Sequence, residues 1–411
     1  MKVVLAGICL QQEKKAFASQ MEECRRLCEA SNREVVDTVT QVSVSMHPKT
    51  AFRQGKLEEL AKVVQESQAK QVVFYNDLSI SMADRIQEVA GVSVIDRTAL
   101  ILEIFSLRAR SKQALLQTEL ARLQYDLPRV VKESAQASEH ARSSFNNRGS
   151  GEMRSALIER KYARRISLLK EELRKIASKN GQDERRRGRT LLKKCALVGY
   201  TNAGKSSLMN AVLDSTHSAG SATFEQDMLF ATLDTSVRRI DYASQSYYLY
   251  DTVGFVSKLP HTLVEAFQST LSACTEADLL VIVLDASDPL HEEKLQVTLD
   301  TLKQIHAQDI ETMIVYNKID LVEDPSKFNG LCVSSKTMLN IDVLQDRIVE
   351  KMYGGKQITC TIPYTSMGML DKYRAVLKVE VVEYKDQEMV VKLQGKQEFL
   401  QLFEKGENKS V

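Results

Sequence analysis

The residues of this chain best suited to chemistry are spaced as G-x-x-x-x-G-K-S: Gly199, Tyr200, Thr201, Asn202, Ala203, Gly204, Lys205 and Ser206, with Ser207 next. Phosphate groups must be wrapped at close range by backbone N–H groups, and glycines let a chain come that close. In such a loop a lysine like Lys205 reaches the β- and γ-phosphates, and a hydroxyl like that of Ser206 joins the shell of a magnesium ion. The apolar run Cys195-Ala196-Leu197-Val198 ahead of the loop reads as a strand, and Leu208 to Leu213 continue as helix. That is the context the motif requires.

Further elements follow in the order of a guanine-nucleotide switch. Asp251-Thr252-Val253-Gly254 closes a strand-like run; Asp251 would hold magnesium through water, and Gly254 is free to turn its N–H toward a γ-phosphate. Asn317-Lys318-Ile319-Asp320 closes another. A carboxylate at Asp320 accepts both N–H groups on the Watson–Crick edge of guanine; adenine offers no such pair, so GTP is expected rather than ATP. Between them, Phe230-Ala231-Thr232-Leu233-Asp234 supplies a hydroxyl, Thr232, that ligates magnesium only when a γ-phosphate is present. Val333-Ser334-Ser335-Lys336 follows a short apolar strand and offers a backbone N–H to the guanine carbonyl. Thr232 or Ser335 alone equally fits an ordinary loop residue; it is their order along the chain that assigns them. Lys205, Thr232 and Gly254 are the residues expected to act on the reacting phosphate. Phe255 stands after Gly254, where many switch GTPases place a glutamine that orients the attacking water. Hydrolysis is therefore expected to be slow until a partner surface or a cation supplies the missing electrostatics.

The elements that must position these residues fall into four stretches. Residues 1–110 alternate strand and helix patterns, with Val3–Ile8, Thr38–Val44, Gln71–Tyr75 and Val92–Ile95 as strands, which predicts a small α/β domain with a largely parallel sheet. Cys24 and Cys28 lie on one helical face as part of a buried apolar stripe. Over 111–189 the strand signals stop. Leu116, Leu120, Leu123 and Leu127, then Ile166, Leu169, Leu173 and Ile176, repeat at helical spacing on either side of a polar Gly/Ser/Asn stretch, predicting a long antiparallel helical hairpin with Pro128 kinking or ending its first arm. Residues 190–353 form the P-loop domain of the Ras-like type, an α/β fold with each candidate residue at the C-terminal end of a strand. Residues 354–411 read as a small α+β domain of strand, helix from Met367 to Leu377 and hairpin turning near Lys385-Asp386-Gln387, either a docking appendage or a binding unit.

Composition agrees. Seven scattered cysteines without a C-x-x-C pair argue for a reducing compartment, and no apolar run approaches a membrane span, so a cytoplasmic protein is expected. The net charge of +2 conceals an excess between Ala141 and Lys194, where 17 Lys or Arg face 6 Asp or Glu. That run is either a solvated coiled-coil face or a phosphate-contacting surface, and the net excess favours a polyanionic partner.

Taken together the chain resembles the HflX family of ribosome-associated GTPases. The resemblance runs through Arg53–Leu60, Val94–Thr98, Ile104–Arg110 and Leu116–Ala121, and is strongest in Leu229–Asp234 and in Asp251–Phe255 continuing to Leu259-Pro260-His261. It implies a monomeric, magnesium-dependent GTPase cycling between GTP and GDP. The implied partner is the large ribosomal subunit, through its ribosomal RNA, with no DNA partner; under stress the protein splits or rescues stalled ribosomes. Asn202 matches the asparagine with which related GTPases hold a potassium ion near the phosphates, implying potassium stimulation. One departure stands out: the family's glycine-rich hairpin loop reads here Ser143-Ser144-Phe145-Asn146-Asn147-Arg148-Gly149-Ser150-Gly151-Glu152, keeping only the Arg-Gly-x-Gly-Glu end. The alternative is a nucleotide-gated regulator that binds RNA or protein without splitting ribosomes.

Overall fold

Lys2 to Leu10 is apolar almost without interruption, and a strand of that kind needs cover on both faces. In the computed structural model this strand, β1, is buried along nearly its whole length and lies inside a four-stranded parallel sheet. The structure describes residues 1–11, 14–142, 150–188, 192–216, 236–243, 245–256, 268–374, 376–395 and 397–404, without the side chains of 15, 132–142, 150–155, 177, 179–188, 268–270, 272, 398 and 404. These residues fall into two compact units that divide within the sixth helix, after Ile176.

The first unit continues with α1 (Lys14–Ala30), β2 (Glu34–Ser43), α2 (Gln54–Ser67), β3 (Gln71–Phe74), α3 (Ile80–Ala90), β4 (Ser93–Asp96) and α4 (Arg97–Arg108). The sheet order is β2-β1-β3-β4, every pair parallel, as the alternating pattern predicts. Cys24 and Cys28 are fully buried on α1. Helix α4 was not anticipated. Thr98 to Leu102, Ile104 and Phe105 are all buried, so it carries no amphipathic stripe for periodicity to find. Its start is set by Asp96, whose Oδ1 accepts the Ala99 N–H at 2.9 Å.

Two long helices, α5 (Lys112–Arg142) and α6 (Ser150–Gly188), form the expected antiparallel hairpin. Leu116, Leu120 and Leu169 are buried in its seam with Leu123, Ile166, Leu173 and Ile176 against them. Glu119 meets Arg165 across it in a two-pronged pair at 2.7 and 2.8 Å. Pro128 does not end α5, which runs on for more than three turns. The proline deletes one donor, a loss a packed helix can carry. The polar stretch at 143–149 lies outside the described residues.

Tyr125 of α5 donates its hydroxyl to Asp96 Oδ1 at 2.9 Å, and Leu78 N–H donates to Oδ2 at 3.3 Å. Burial pushes the Asp96 carboxyl above its ordinary value, and these donors oppose the shift. A raised folded value means that this group favours folding most in acid, and that its contribution is lost as pH rises through that value. Tyr125→Phe removes a donor from the ionised form. It should therefore cost about 1–3 kcal/mol at neutral pH and less in acid, as Asp96 takes up its proton. Hydrogen exchange of the α4 amides reads this directly, and a deficit independent of pH would contradict it.

The second unit opens with β5 (Lys193–Val198), α7 (Lys205–Thr216), β6 (Ser236–Tyr242), β7 (Gln245–Asp251), α8 (Gln268–Thr275), β8 (Leu279–Asp285), α9 (His291–Gln304), β9 (Thr312–Asn317), β10 (Leu331–Cys332) and α10 (Ile341–Tyr353). Its six-stranded sheet runs β10-β9-β8-β5-β7-β6, parallel except for the β6–β7 hairpin. Beyond it, β11 (Lys356–Pro363), β12 (Lys378–Tyr384) and β13 (Glu388–Gly395) form an antiparallel sheet with α11 (Met367–Tyr373) and α12 (Gln397–Glu404). Helix α11 stops at Tyr373, short of the expected Leu377, because Val376 and Leu377 turn back into the core. Buried Cys360, Leu370, Val391 and Phe403 belong to one apolar cluster with Val212 of α7 and Ile348 and Tyr353 of α10.

Candidate nucleotide site

The ends of β5, β7, β8 and β9 set the site. β5 delivers Gly199, Tyr200, Thr201, Asn202, Ala203 and Gly204 as a loop, and Lys205, Ser206 and Ser207 form the first turn of α7. Gly199 sits at φ +144 and Gly204 at φ +87, backbone states that side chains resist. Asn202 is also left-handed, at φ +62. Lys205 is buried, and its ammonium donates to the carbonyls of Gly199 at 3.1 Å and Tyr200 at 2.9 Å. Burial pushes it down to about 8, while the Asp251 carboxylate pulls the other way.

β7 ends at Asp251, whose Oδ2 accepts the Ser206 hydroxyl at 2.6 Å. Thr252 is tied to the Leu197 carbonyl at 2.7 Å, and Val253 and Gly254 follow. Phe255 is buried; its backbone pairs with the phosphate loop, Thr201 N–H to Phe255 O at 2.8 Å and Phe255 N–H to Gly199 O at 3.0 Å. A side chain on Gly254 would sit 2.7 Å from Thr201 Cα, so glycine is required there by close approach.

β9 ends at Asn317, whose Nδ2 donates to the carbonyls of Ala203 at 3.1 Å and Gly204 at 3.4 Å, and whose Oδ1 accepts the Ser335 N–H at 3.1 Å. One side chain thus joins the phosphate loop to the loop carrying Lys336. Asp320 is exposed, and its Oδ1 accepts the buried Ser334 hydroxyl at 2.6 Å. A backbone pair between Ser334 and Leu339 closes that loop. The residues Phe230, Ala231 and Thr232, like Leu259 to His261, lie outside the described residues.

The structure therefore brings together the phosphate loop, Asp251 to Gly254, Asn317 to Asp320 and Ser334 to Lys336 on one sheet edge. The sequence marks Asp285 as the end of a strand pattern but assigns it no role; in the structure it is the last residue of β8 and meets Lys318 at 2.8 Å.

The comparisons with known proteins divide the chain similarly. Residues 18–106 match a family model described as GTP-binding GTPase N-terminal, 108–187 one described as GTP-binding GTPase Middle Region, and 194–318 one described as 50S ribosome-binding GTPase. The GTPase HflX of Caldanaerobacter subterraneus subsp. tengcongensis is 35% identical over 367 residues, 88% of this chain and 83% of that protein. The chain belongs to the HflX family of GTPases. The Escherichia coli GTPase HflX is 33% identical over 363 residues, covering 86% of this chain and 83% of that one. A crystal structure of a GTP-binding protein from Sulfolobus solfataricus in complex with GDP is similar at 25% identity and a TM-score of 0.44, over 85% of this chain and 98% of that one. As an HflX GTPase the chain binds GTP and GDP and hydrolyses GTP, on an α/β fold with a P-loop domain.

Proposed function

We propose that this HflX GTPase binds the large ribosomal subunit in its GTP state and, under stress, splits or rescues stalled ribosomes in the cytoplasm. The observation that carries the reading is the basic helical hairpin. Arg160, Lys161, Arg164, Lys170 and Arg174 are exposed along α6, a cationic stripe suited to an RNA backbone. The match of the nucleotide domain to a model of ribosome-binding GTPases supports the same partner. Among the described residues no helix is long and apolar enough to cross a membrane.

In this reading Lys205 and the loop amides hold the phosphates, Gly254 senses the γ-phosphate, and Asp320 selects guanine with Asn317 as its brace. The Ser206 hydroxyl and Asp251 carboxylate, in contact at the start of α7, are a hard-oxygen donor pair that fits magnesium, with Thr232 completing the set. Magnesium held there would neutralise charge developing on the phosphate oxygens. Asn202 would hold potassium beside them. Phe255 cannot orient a water, so the large subunit supplies that electrostatic help. GTP hydrolysis by the full chain should rise at least roughly tenfold on adding large subunits and stay unchanged with small ones. Equal rates with either subunit would remove the large subunit as the activating surface.

A further inference from the structure

Each polar side chain of Asn317-Lys318-Ile319-Asp320 has its own brace. For Asn317 it is the Ser335 N–H, and for Asp320 the Ser334 hydroxyl. For Lys318 it is Asp285, and the contact is built rather than casual. Strands β8 and β9 pair in register with Asp285 opposite Asn317, and the Ala286 N–H continues the ladder to Asn317 O at 2.8 Å. Asp285 Oδ1 accepts both the N–H of Ser287 at 3.0 Å and its hydroxyl at 2.6 Å, which fixes the carboxylate plane. Oδ2 is thereby left for the Lys318 ammonium at 2.8 Å, with the two side chains only 19% and 24% exposed.

Lys318 itself is left-handed, at φ +61, a state that a lysine holds only when its surroundings dictate it. Its Cε lies 3.9 Å from where a Cβ on Gly204 would stand. The methylene stem therefore spans from β9 toward the phosphate loop, between the groups that hold phosphate and the carboxylate that reads guanine. A stem in that place offers apolar surface to the nucleoside while its charge is neutralised elsewhere.

We propose that Asp285 is a positioning residue for nucleotide binding: through its pair with Lys318 it keeps the lysine stem under the nucleoside and so slows guanine-nucleotide release. This rests on the nucleotide reading of the site. Removing the brace lets the ammonium swing away, and the nucleoside loses its floor while the phosphates keep theirs.

The test is the release of a fluorescent GDP from the full chain, chased with unlabelled GDP, alongside competition by tripolyphosphate. Asp285→Asn should release GDP about tenfold faster, with tripolyphosphate affinity unchanged; Ser287→Ala, a milder loosening of the carboxylate, should give a smaller increase. In a Lys318→Met background, Asp285→Asn should have no further effect, because both act on one contact. Additive effects, or parallel losses of GDP and tripolyphosphate, would overturn the proposal. Unchanged release in Asp285→Asn with normal wild-type binding overturns only the positioning role. A wild-type chain that does not retain GDP overturns the site reading along with it.

Discussion

Asp320→Asn is expected to convert the site from guanine to xanthine recognition. In the proposed reading the carboxylate accepts two N–H groups from the guanine edge, and an amide can accept only one while its NH₂ faces the other. Losing one charge-assisted bond and opposing two donors should weaken GDP by about 4 kcal/mol, roughly a thousandfold. Ser334 Oγ accepts the Thr337 N–H at 3.1 Å and donates its own hydrogen to Asp320 Oδ1, a carboxylate oxygen that can only accept; an amide oxygen at the same place keeps that bond. The amide oxygen stays there and the NH₂ turns to the base, where the C2 carbonyl of xanthine accepts it. Competition binding with GDP, XDP and ADP measures the change. A variant that loses GDP without gaining XDP would mean that Asp320 braces the loop and does not touch the base.

Gly199→Ala should strongly destabilise the second unit. At φ +144, an added Cβ would lie 2.3 Å from the Val283 carbonyl oxygen. That oxygen is backbone of β8, where Val283 pairs with Val315 of β9, and it cannot readily give way. Strain at positive φ together with overpacking puts the cost at about 3–5 kcal/mol. The contrast is Gly55→Ala in α2, where nothing lies within 4 Å of the new methyl group. That change should stabilise its helix by roughly 0.5–1 kcal/mol. Thermal unfolding of the two variants should move in opposite directions; equal shifts would contradict the packing at Gly199.

Most of the fold was legible because its strongest signals are local. The continuous apolar strands, the heptad-like leucines of α5 and the residues at strand ends all announce themselves within a few positions. Helix α4 did not, since a helix buried all round has no polar face to give it a period. Helix α12, at the end of the small sheet, was likewise missed. At Pro128 the sequence allows either a kink or an end, and the end does not occur: the hairpin seam around Leu123 and Ile166 holds α5 through a residue whose local preference is to end it. In the site, motif spacing nominates the residues proposed to touch nucleotide. Their braces were not, because Ser334 to Asp320 and Asp285 to Lys318 are contacts between strands distant in sequence, fixed only once the sheet order is known.

Sucrose-gradient sedimentation tests most directly whether the guanine-nucleotide switch drives the proposed ribosome splitting. Intact ribosomes would be run with the full chain in GTP, in a non-hydrolysable analogue and in GDP, with Lys205→Ala as the control. The expected result is that ribosomes fall into subunits with GTP or the analogue and the protein travels with the large subunit, while GDP and Lys205→Ala leave them intact. A protein that stays at the top of the gradient in every nucleotide state would contradict the ribosomal role and leave a GTPase whose basic hairpin serves another partner.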